Sequence, residues 1–163
     1  MFGYYISHNV SIGLSAFASG LVVGVGSVVV LVSNGIIIGA VFGHLHHIGS
    51  GGRLWSFVCG HAPFELTAIV LAGGAGLQLG LNWLMPGRRA RGQALREAGI
   101  KGGQLCIGVV AMLVIAAFIE AFWSSKQQVP VALDYSVSVL LWGLVLGWLL
   151  LGGRRRVEHL RAQ

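Results

Sequence analysis

The first 52 residues of the chain contain no Asp, Glu, Lys or Arg, and the first charged side chain is Arg53. Across all 163 residues, hydrophobic residues make up 55% and charged residues 10%, whereas a soluble domain carries about 25% charged residues. So few charges cannot cover a water-exposed surface. The composition therefore excludes an ordinary soluble enzyme, a disordered tail and a disulfide-rich secreted miniprotein, and it predicts a polytopic membrane protein.

Five apolar segments have the length or composition of membrane helices, because about 20 apolar residues cross the hydrocarbon core. They are residues 10–31, 35–48, 64–85, 104–123 and 135–151. The second has only 14 residues, so we expect it to be short or partly re-entrant, after a break at Asn34-Gly35. Membrane strands alternate apolar and polar residues, which these segments do not. The sequence thus predicts an all-α transmembrane bundle, with residues 1–163 as one domain.

Basic residues are concentrated in two places, the loop at 88–101 and the tail at 153–163. The positive-inside rule places both in the cytoplasm, which predicts a multi-pass membrane protein with a cytoplasmic C-terminus and an outside N-terminus. The same rule explains the net charge of +6, so we expect no nucleic-acid partner. Residues 88–101 are also expected to form a short helix at the membrane surface.

Glycine is the most informative small residue, with 26 copies. Small residues allow membrane helices to approach closely. The ridge of Gly35, Gly39 and Gly43 and the cluster around Gly76 are therefore predicted at tight helix crossings. The pattern does not decide whether these crossings lie within one chain or between copies, and a homodimer through the glycine faces is one expectation.

Ionisable residues within apolar segments face protein or water and are frequently functional. His61 and Glu65 are four residues apart, on one helix face, and Glu120 is the lone acid of the fourth segment. The predicted topology puts all three near the outer side, so we expect one polar cluster of His61, Glu65 and Glu120. A structural polar pair, an ion or proton site, and binding of a divalent metal remain alternatives.

No nucleophile, base and oxyanion donor are combined in a recognisable motif. We therefore predict no catalytic residues, no enzyme activity, no cofactor and no dedicated metal site. The His44-x-His46-His47 pattern has metal-ligand character, but a position at the membrane interface explains it equally well. Two functions stay open: a membrane scaffold, and a channel or transporter that uses His61, Glu65 and Glu120.

Several motifs resemble the stage II sporulation protein M family of bacterial membrane proteins. Asn34-Gly35-Ile-Ile-Ile-Gly39 resembles its asparagine-glycine signature, and Gly60-His61-Ala62-Pro63-Phe64-Glu65 resembles its Pro-His-Gly-x-x-Glu motif. Gly76, Pro86-Gly87 with Arg91, and Ile119-Glu120 follow in the order of the family. In two places the sequence departs from the motif, because Gly60 replaces its proline and Ala62 its glycine.

The resemblance implies a non-enzymatic integral membrane scaffold. In spore-formers the family member works with peptidoglycan-degrading partners, and relatives elsewhere are often encoded near an AAA+ ATPase. Cell-wall hydrolases or such an ATPase are therefore the expected partners, besides the lipid bilayer. Family members typically carry an earlier membrane helix and a cytoplasmic region, so we expect this chain to correspond to the C-terminal membrane portion or to a short homologue.

The topology is testable by labelling single cysteines introduced at Gln93 and Gln127. Gln93 lies in the basic loop and Gln127 precedes the last apolar segment, so a membrane-impermeant reagent should label only Gln127→Cys in intact cells. Gln93→Cys should react only after the membrane is opened. Labelling of both from one side would contradict the five-segment topology.

Overall fold

The computed structural model describes residues 2–125 and 130–152, and of Arg53 it describes the main chain only. These residues are almost entirely helical and contain no strand. Six α-helices follow in chain order: α1 (Phe2–Ala18), α2 (Val25–His47), α3 (Gly51–Cys59), α4 (Ala62–Leu84), α5 (Arg91–Ile119) and α6 (Val131–Gly152). A 3₁₀ turn, Ser19–Leu21, follows α1, and a π-helical turn, Glu120–Ser124, continues α5. The predicted all-α fold is confirmed.

Four helical stretches are long and apolar enough to cross a membrane: Val25–His47, Ala62–Leu84, Arg91–Ser124 and Val131–Gly152. Helix α1 has 17 residues, and with the 3₁₀ turn it covers about 31 Å. That length is close to the hydrocarbon thickness of about 30 Å. Five crossing segments, the predicted number, therefore fit the helix lengths, and α3 is a short sixth helix between two of them.

The core lies where α1, α4 and α5 meet. It is built from small and branched apolar side chains that are almost completely buried: Ala16, Ala68, Ile69, Ala72, Val109 and Leu113. Helix α1 runs antiparallel to α5, since Gly13 lies against Leu113 whereas Phe17 lies against Gly102. The short loop between α4 and α5 reverses the chain direction, so α1 is parallel to α4. Helices α2 and α6 pack on the outside of this core and bury few residues.

The turn between α1 and α2 lies at residues 19–24, so the predicted break at Asn34-Gly35 is wrong. Helix α2 continues through that pair, and the predicted segments 10–31 and 35–48 do not exist with those bounds. Gly24 adopts a left-handed conformation with φ +82°, which glycine accepts at no steric cost. An Asn-Gly pair is compatible with a helix interior, whereas the turn at 19–24 requires Gly24.

Because the turn is displaced by about three helical turns, α2 is a 23-residue helix rather than a short or re-entrant one. The alternation of directions is nevertheless the one predicted. The turn at 19–24 lies beside the end of α4, as Gly24 approaches Gly80, and thus at the end of the bundle that carries Arg88 to Lys101. We call this end of the bundle the basic end. The opposite end, where α2 finishes at His44–His47 and α6 begins after Pro130, is called the histidine end.

The remaining helices begin and end closer to the boundaries predicted from the sequence. Helices α4 and α6 begin two and four residues before the predicted segments. Helix α5 begins at Arg91, so residues 91–101 continue into the long helix and do not form a separate surface helix. Arg89 joins α4 to α5, because its guanidinium donates to Glu97 Oε2 at 2.6 Å and to Asn82 Oδ1 at 2.9 Å. The basic tail 153–163 lies outside the described residues.

The two predicted glycine crossings have opposite outcomes. A Cβ on Gly76 would overlap Ser27 Oγ and the main-chain oxygens of Ala16 and Phe17, so Gly76 lies at a close crossing of α4 with α1 and α2. A Cβ added to any glycine of the ridge at 35, 39 and 43 would meet no described atom within 4 Å. Gly39 therefore lies at no close crossing among the described residues of one chain, and a crossing between copies stays a prediction.

Replacing Gly76 with Ala should destabilise the protein by about 1–3 kcal/mol, because the new methyl group meets main-chain atoms that cannot rotate away. Gly74 is the matched control, since it lies on the same helix with open space at its Cβ. Gly74→Ala should be neutral or stabilise by about 0.5–1 kcal/mol. Thermal unfolding of both variants in detergent measures the difference, and equal melting temperatures would contradict the crossing.

Candidate functional site

The three ionisable residues singled out in the sequence lie together at the histidine end. His61 is the N-cap of α4, and Glu65 is in its first turn, where the helix dipole favours a carboxylate. Pro63 between them fits a first turn because its missing N–H has no helical acceptor there. Glu120 comes from α5. One ligating atom from each of His61, Glu65 and Glu120 lies within 4.8 Å of the other two.

Glu120 is the first residue of the π-helical turn Glu120–Ser124. A π turn contains one residue more than an α turn, and such turns are frequent at functional sites. The turn places Ser124 beside the cluster as well, because Ser124 Oγ is 3.3 Å from His61 Nδ1. The other imidazole nitrogen, Nε2, is 3.6 Å from Glu65 Oε2. The imidazole thus bridges α5 and the first turn of α4.

The cluster is largely buried within the protein. His61 and Glu120 are buried, and the Glu65 side chain is 18% exposed. Burial lowers the pKa of His61, which precedes the crossing part of α4, to about 4. The imidazole is therefore neutral at pH 7, so it does not offset the charge of the two carboxyl groups. Among the described side chains, neither Glu65 nor Glu120 forms an ion pair with Lys or Arg.

A cavity of about 450 Å³ reaches the cluster from the side of α2, α3 and α6. Its walls are mainly apolar and aromatic, and His61, Glu65 and Ser138 are its polar residues; the lining comprises Ile38, Phe42, Trp55, Val58, Cys59, His61, Ala62, Glu65, Leu66, Ser138 and Trp142. Glu120 does not line it. The cavity therefore exposes one edge of the cluster and leaves Glu120 on the protein side.

Asn9 is a member of this site whose contact with Glu120 the sequence analysis missed. It lies on α1, is 3% exposed, and its side chain faces the Glu120 carboxylate. Its Nδ2 nevertheless has no hydrogen-bond partner of acceptable geometry among the described residues. A polar residue at the start of an apolar segment was the available signal, but only the packing of α1 against α5 brings it to Glu120.

Asp134 is a second missed residue. The predicted last segment began at 135, whereas α6 begins at Val131 and buries Asp134 in its first turn. Trp123 Nε1–H donates to Asp134 Oδ1 at 3.2 Å, which attaches α6 to the π turn of α5. An acidic residue next to an apolar run was visible in the sequence, but its partner was not.

The other predicted residues lie elsewhere. Asn34, Gly35 and Gly39 are on α2 and do not line the cavity, and Gly76 lies in the core crossing. The side chains of His44, His46 and His47 are exposed at the end of α2. Within the described part of the chain, they form no metal-ligating group of three with one another or with an acid.

Glu120→Leu should destabilise the fold by about 1–3 kcal/mol, because the buried amide of Asn9 would then face an apolar side chain that cannot accept a hydrogen bond. Glu120→Gln should be tolerated, since the amide keeps the shape and can still form hydrogen bonds. Thermal unfolding in detergent with a chelator present tests both without any contribution from bound ions. Glu97→Gln at the basic end is the exposed control, and a Leu variant as stable as wild type would show that no network depends on Glu120.

Comparison with known proteins adds one match. The family model described as stage II sporulation protein M matches residues 1–125, which include α1 to α5, the π turn and all of Asn9, His61, Glu65 and Glu120. No curated protein and no solved structure matches the chain. Helix α6 lies outside the matched range. Since the match covers most of the sequence, the chain belongs to the stage II sporulation protein M family.

Proposed function

We propose that the protein is a non-enzymatic integral membrane scaffold of the bacterial cytoplasmic membrane, which holds partner proteins against its outer helices. The observation that carries the proposal is the exposure of α2 and α6. Helix α2 buries only Ser27 of its 23 residues, and α6 buries Asp134, Ser138 and Val145 of its 22. Both helices therefore offer most of their surface to lipid or to other membrane helices.

The exposed glycines of α2 support a second copy of the chain as one occupant of this surface. Gly35, Gly39 and Gly43 follow one another at four-residue spacing, with open space above each. Small residues at this spacing allow the close helix contacts that drive association in membranes. Family resemblance adds cell-wall hydrolases or an AAA+ ATPase as further partners. The cytoplasmic position of the C-terminus belongs to the same proposal and rests on the positive-inside distribution of basic residues.

A transporter is the second candidate, favoured by the gathering of His61, Glu65 and Glu120 in apolar surroundings. The packing below the cluster argues against it. Toward the basic end, α1, α4 and α5 meet through Ala16, Ala68 and Leu113, all fully buried. Close-packed apolar side chains leave no room for a water path between these three helices. The cavity beside the cluster reaches the histidine end and lies between α2, α3, α4 and α6.

A catalytic role is the least supported. Ser124, His61 and Glu65 follow one another as a hydroxyl, an imidazole and a carboxyl group, the atom types of a catalytic triad. An imidazole with a pKa of about 4 is a weak base at neutral pH, however, and efficient general bases have pKa values near the working pH. The scaffold proposal therefore assigns a structural role to the row formed by Ser124, His61 and Glu65.

Site-specific photo-crosslinking in bacterial membranes tests the scaffold. A photoreactive residue at Ile36, an exposed position beside the glycines of α2, should yield a species with twice the 17.2 kDa mass of the chain. Ile115 on α5 is a matched control, since it is 45% exposed and has no glycine within four residues on either side. Crosslinks to lipid alone at Ile36, combined with proton or cation flux in liposomes that Glu120→Gln abolishes, would favour the transporter and contradict the scaffold.

A further inference from the structure

We propose that His61, Glu65 and Glu120 bind one divalent first-row transition metal ion, for which Zn²⁺ has the best-matched ligand preference, with Asn9 orienting the Glu120 carboxylate. The inference goes beyond the scaffold function and does not depend on it. It rests on the geometry of the cluster, on the unpartnered amide of Asn9, and on the absence of another described cation near the two carboxyl groups.

The spacing of the ligand atoms fits a small ion. His61 Nε2 and Glu65 Oε2 are 3.6 Å apart, and two ligands of a tetrahedral Zn²⁺ ion are separated by about 3.3 Å when the metal bonds are near 2.0 Å. One carboxylate oxygen of Glu120 lies within 4.8 Å of a ring nitrogen of His61 and of a carboxylate oxygen of Glu65. A turn of its carboxylate toward that pair would let Glu120 share the same ion.

The imidazole is oriented as a metal ligand requires. Metal-binding histidines usually donate their second ring N–H to a neighbouring acceptor, which fixes the tautomer and the ring plane. His61 Nδ1 has such a neighbour in Ser124 Oγ at 3.3 Å. When Nδ1–H donates to this hydroxyl, Nε2 carries the lone pair, and Glu65 Oε2 lies 3.6 Å from it. Two acceptors then face each other, an arrangement that a cation between them stabilises.

Asn9 supplies the independent indication of a missing ligand. It is 3% exposed and faces Glu120, yet its Nδ2 has no hydrogen-bond partner of acceptable geometry in the described part of the chain. Buried amide donors are rarely left in that condition. If one oxygen of Glu120 turned to the ion, the other would be free to accept from Asn9 Nδ2–H. Asn9 is therefore a positioning residue for Glu120 rather than a ligand.

The negative charge of the two carboxylates also favours a bound cation at this site. Two carboxyl groups within 4.8 Å of each other repel when both are ionised, and the burial of Glu120 strengthens the repulsion. A single divalent ion neutralises both. One imidazole with two carboxylates is a mixed nitrogen and oxygen set, which Zn²⁺ accepts, whereas Mg²⁺ favours oxygen ligands and retains its waters.

The position of the ion gives it a mechanical role. The two ligands on α4, the ligand on α5 and the positioning residue on α1 would together join the three core helices at the histidine end. The neighbouring cavity touches His61 and Glu65, so an ion can enter from that side. A fourth coordination position facing the cavity would remain for water or for a group of a bound partner.

Titration of the purified full chain with Zn²⁺ alone tests the site. The protein, in lipid nanodiscs and stripped with a chelator, carries His44→Ala, His46→Ala and His47→Ala so that the histidines of α2 do not contribute. We expect one ion per chain by calorimetry and by elemental analysis. Glu65→Gln should weaken binding by more than about 100-fold and Asn9→Leu by about 10–100-fold, because outer-shell partners contribute that much. Glu97→Gln should change nothing.

Thermal unfolding provides the second measurement. Zn²⁺ should raise the melting temperature of the background protein and leave that of Glu65→Gln unchanged, since ions that bind only the folded state stabilise it. The Glu65 side chain is partly exposed, so this variant should fold even if variants of His61 or Glu120 do not. Less than half an ion per chain, equal affinity for Mg²⁺, or full Zn²⁺ affinity in Glu65→Gln would overturn the proposal.

Discussion

Close contact between the main chains of the turn at 19–24 and of α4 is the constraint on which the rest of the bundle depends. Gly20 lies against the main chain of Gly76, and Gly80 lies against that of Gly24. Side chains at these positions would force the helices apart. Because they are absent, both arms of the α1–α2 hairpin can lie on α4. That contact fixes the depth of α1, and hence the position of Asn9 beside Glu120 at the other end of the bundle.

The polar groups of the bundle are divided between its two ends. At the basic end, Arg89 connects Asn82 with Glu97 across the α4–α5 loop, in a partly exposed position. At the histidine end, the cluster of His61, Glu65 and Glu120 is largely buried, and its members come from different helices. Between them lies a core of alanine, valine and leucine. The apolar centre of the bundle thus separates two polar ends of different character.

The sequence predicted the helical membrane fold and brought His61, Glu65 and Glu120 to one side, because charge distribution and segment length depend only on local composition. It failed at the first hairpin. The run from Val10 to Leu31 is uniformly apolar, so its length suggested one crossing, and Gly20 and Gly24 looked no different from glycines inside helices. Asn34-Gly35 carried the stronger turn signal, yet α2 continues through it. Whether a glycine forms a turn or lies inside a helix depends on the residues that it contacts. For Gly20 and Gly24 these residues belong to α4.

Only part of the candidate site could be predicted from the sequence, because its other members are brought in by contacts between helices. Spacing along one helix predicts that His61 and Glu65 share a face, and this part needs no tertiary knowledge. Asn9 and Ser124 join them through the packing of α1 on α5 and through the local geometry of residues 120–124. Sequence periodicity assumes a uniform helix, so the extra residue of a π turn cannot be read from it.

That π turn makes the length of α5, and not only its composition, part of the site. One additional residue within a single turn rotates everything that follows by about 100° relative to an uninterrupted α-helix. Ser124 reaches the imidazole and Trp123 reaches Asp134 only in this register. Loss of a single residue here would remove no chemical group from the cluster, yet it would point both supports in new directions. Spacing between Glu120 and Ser124 is thus as restricted as their identities.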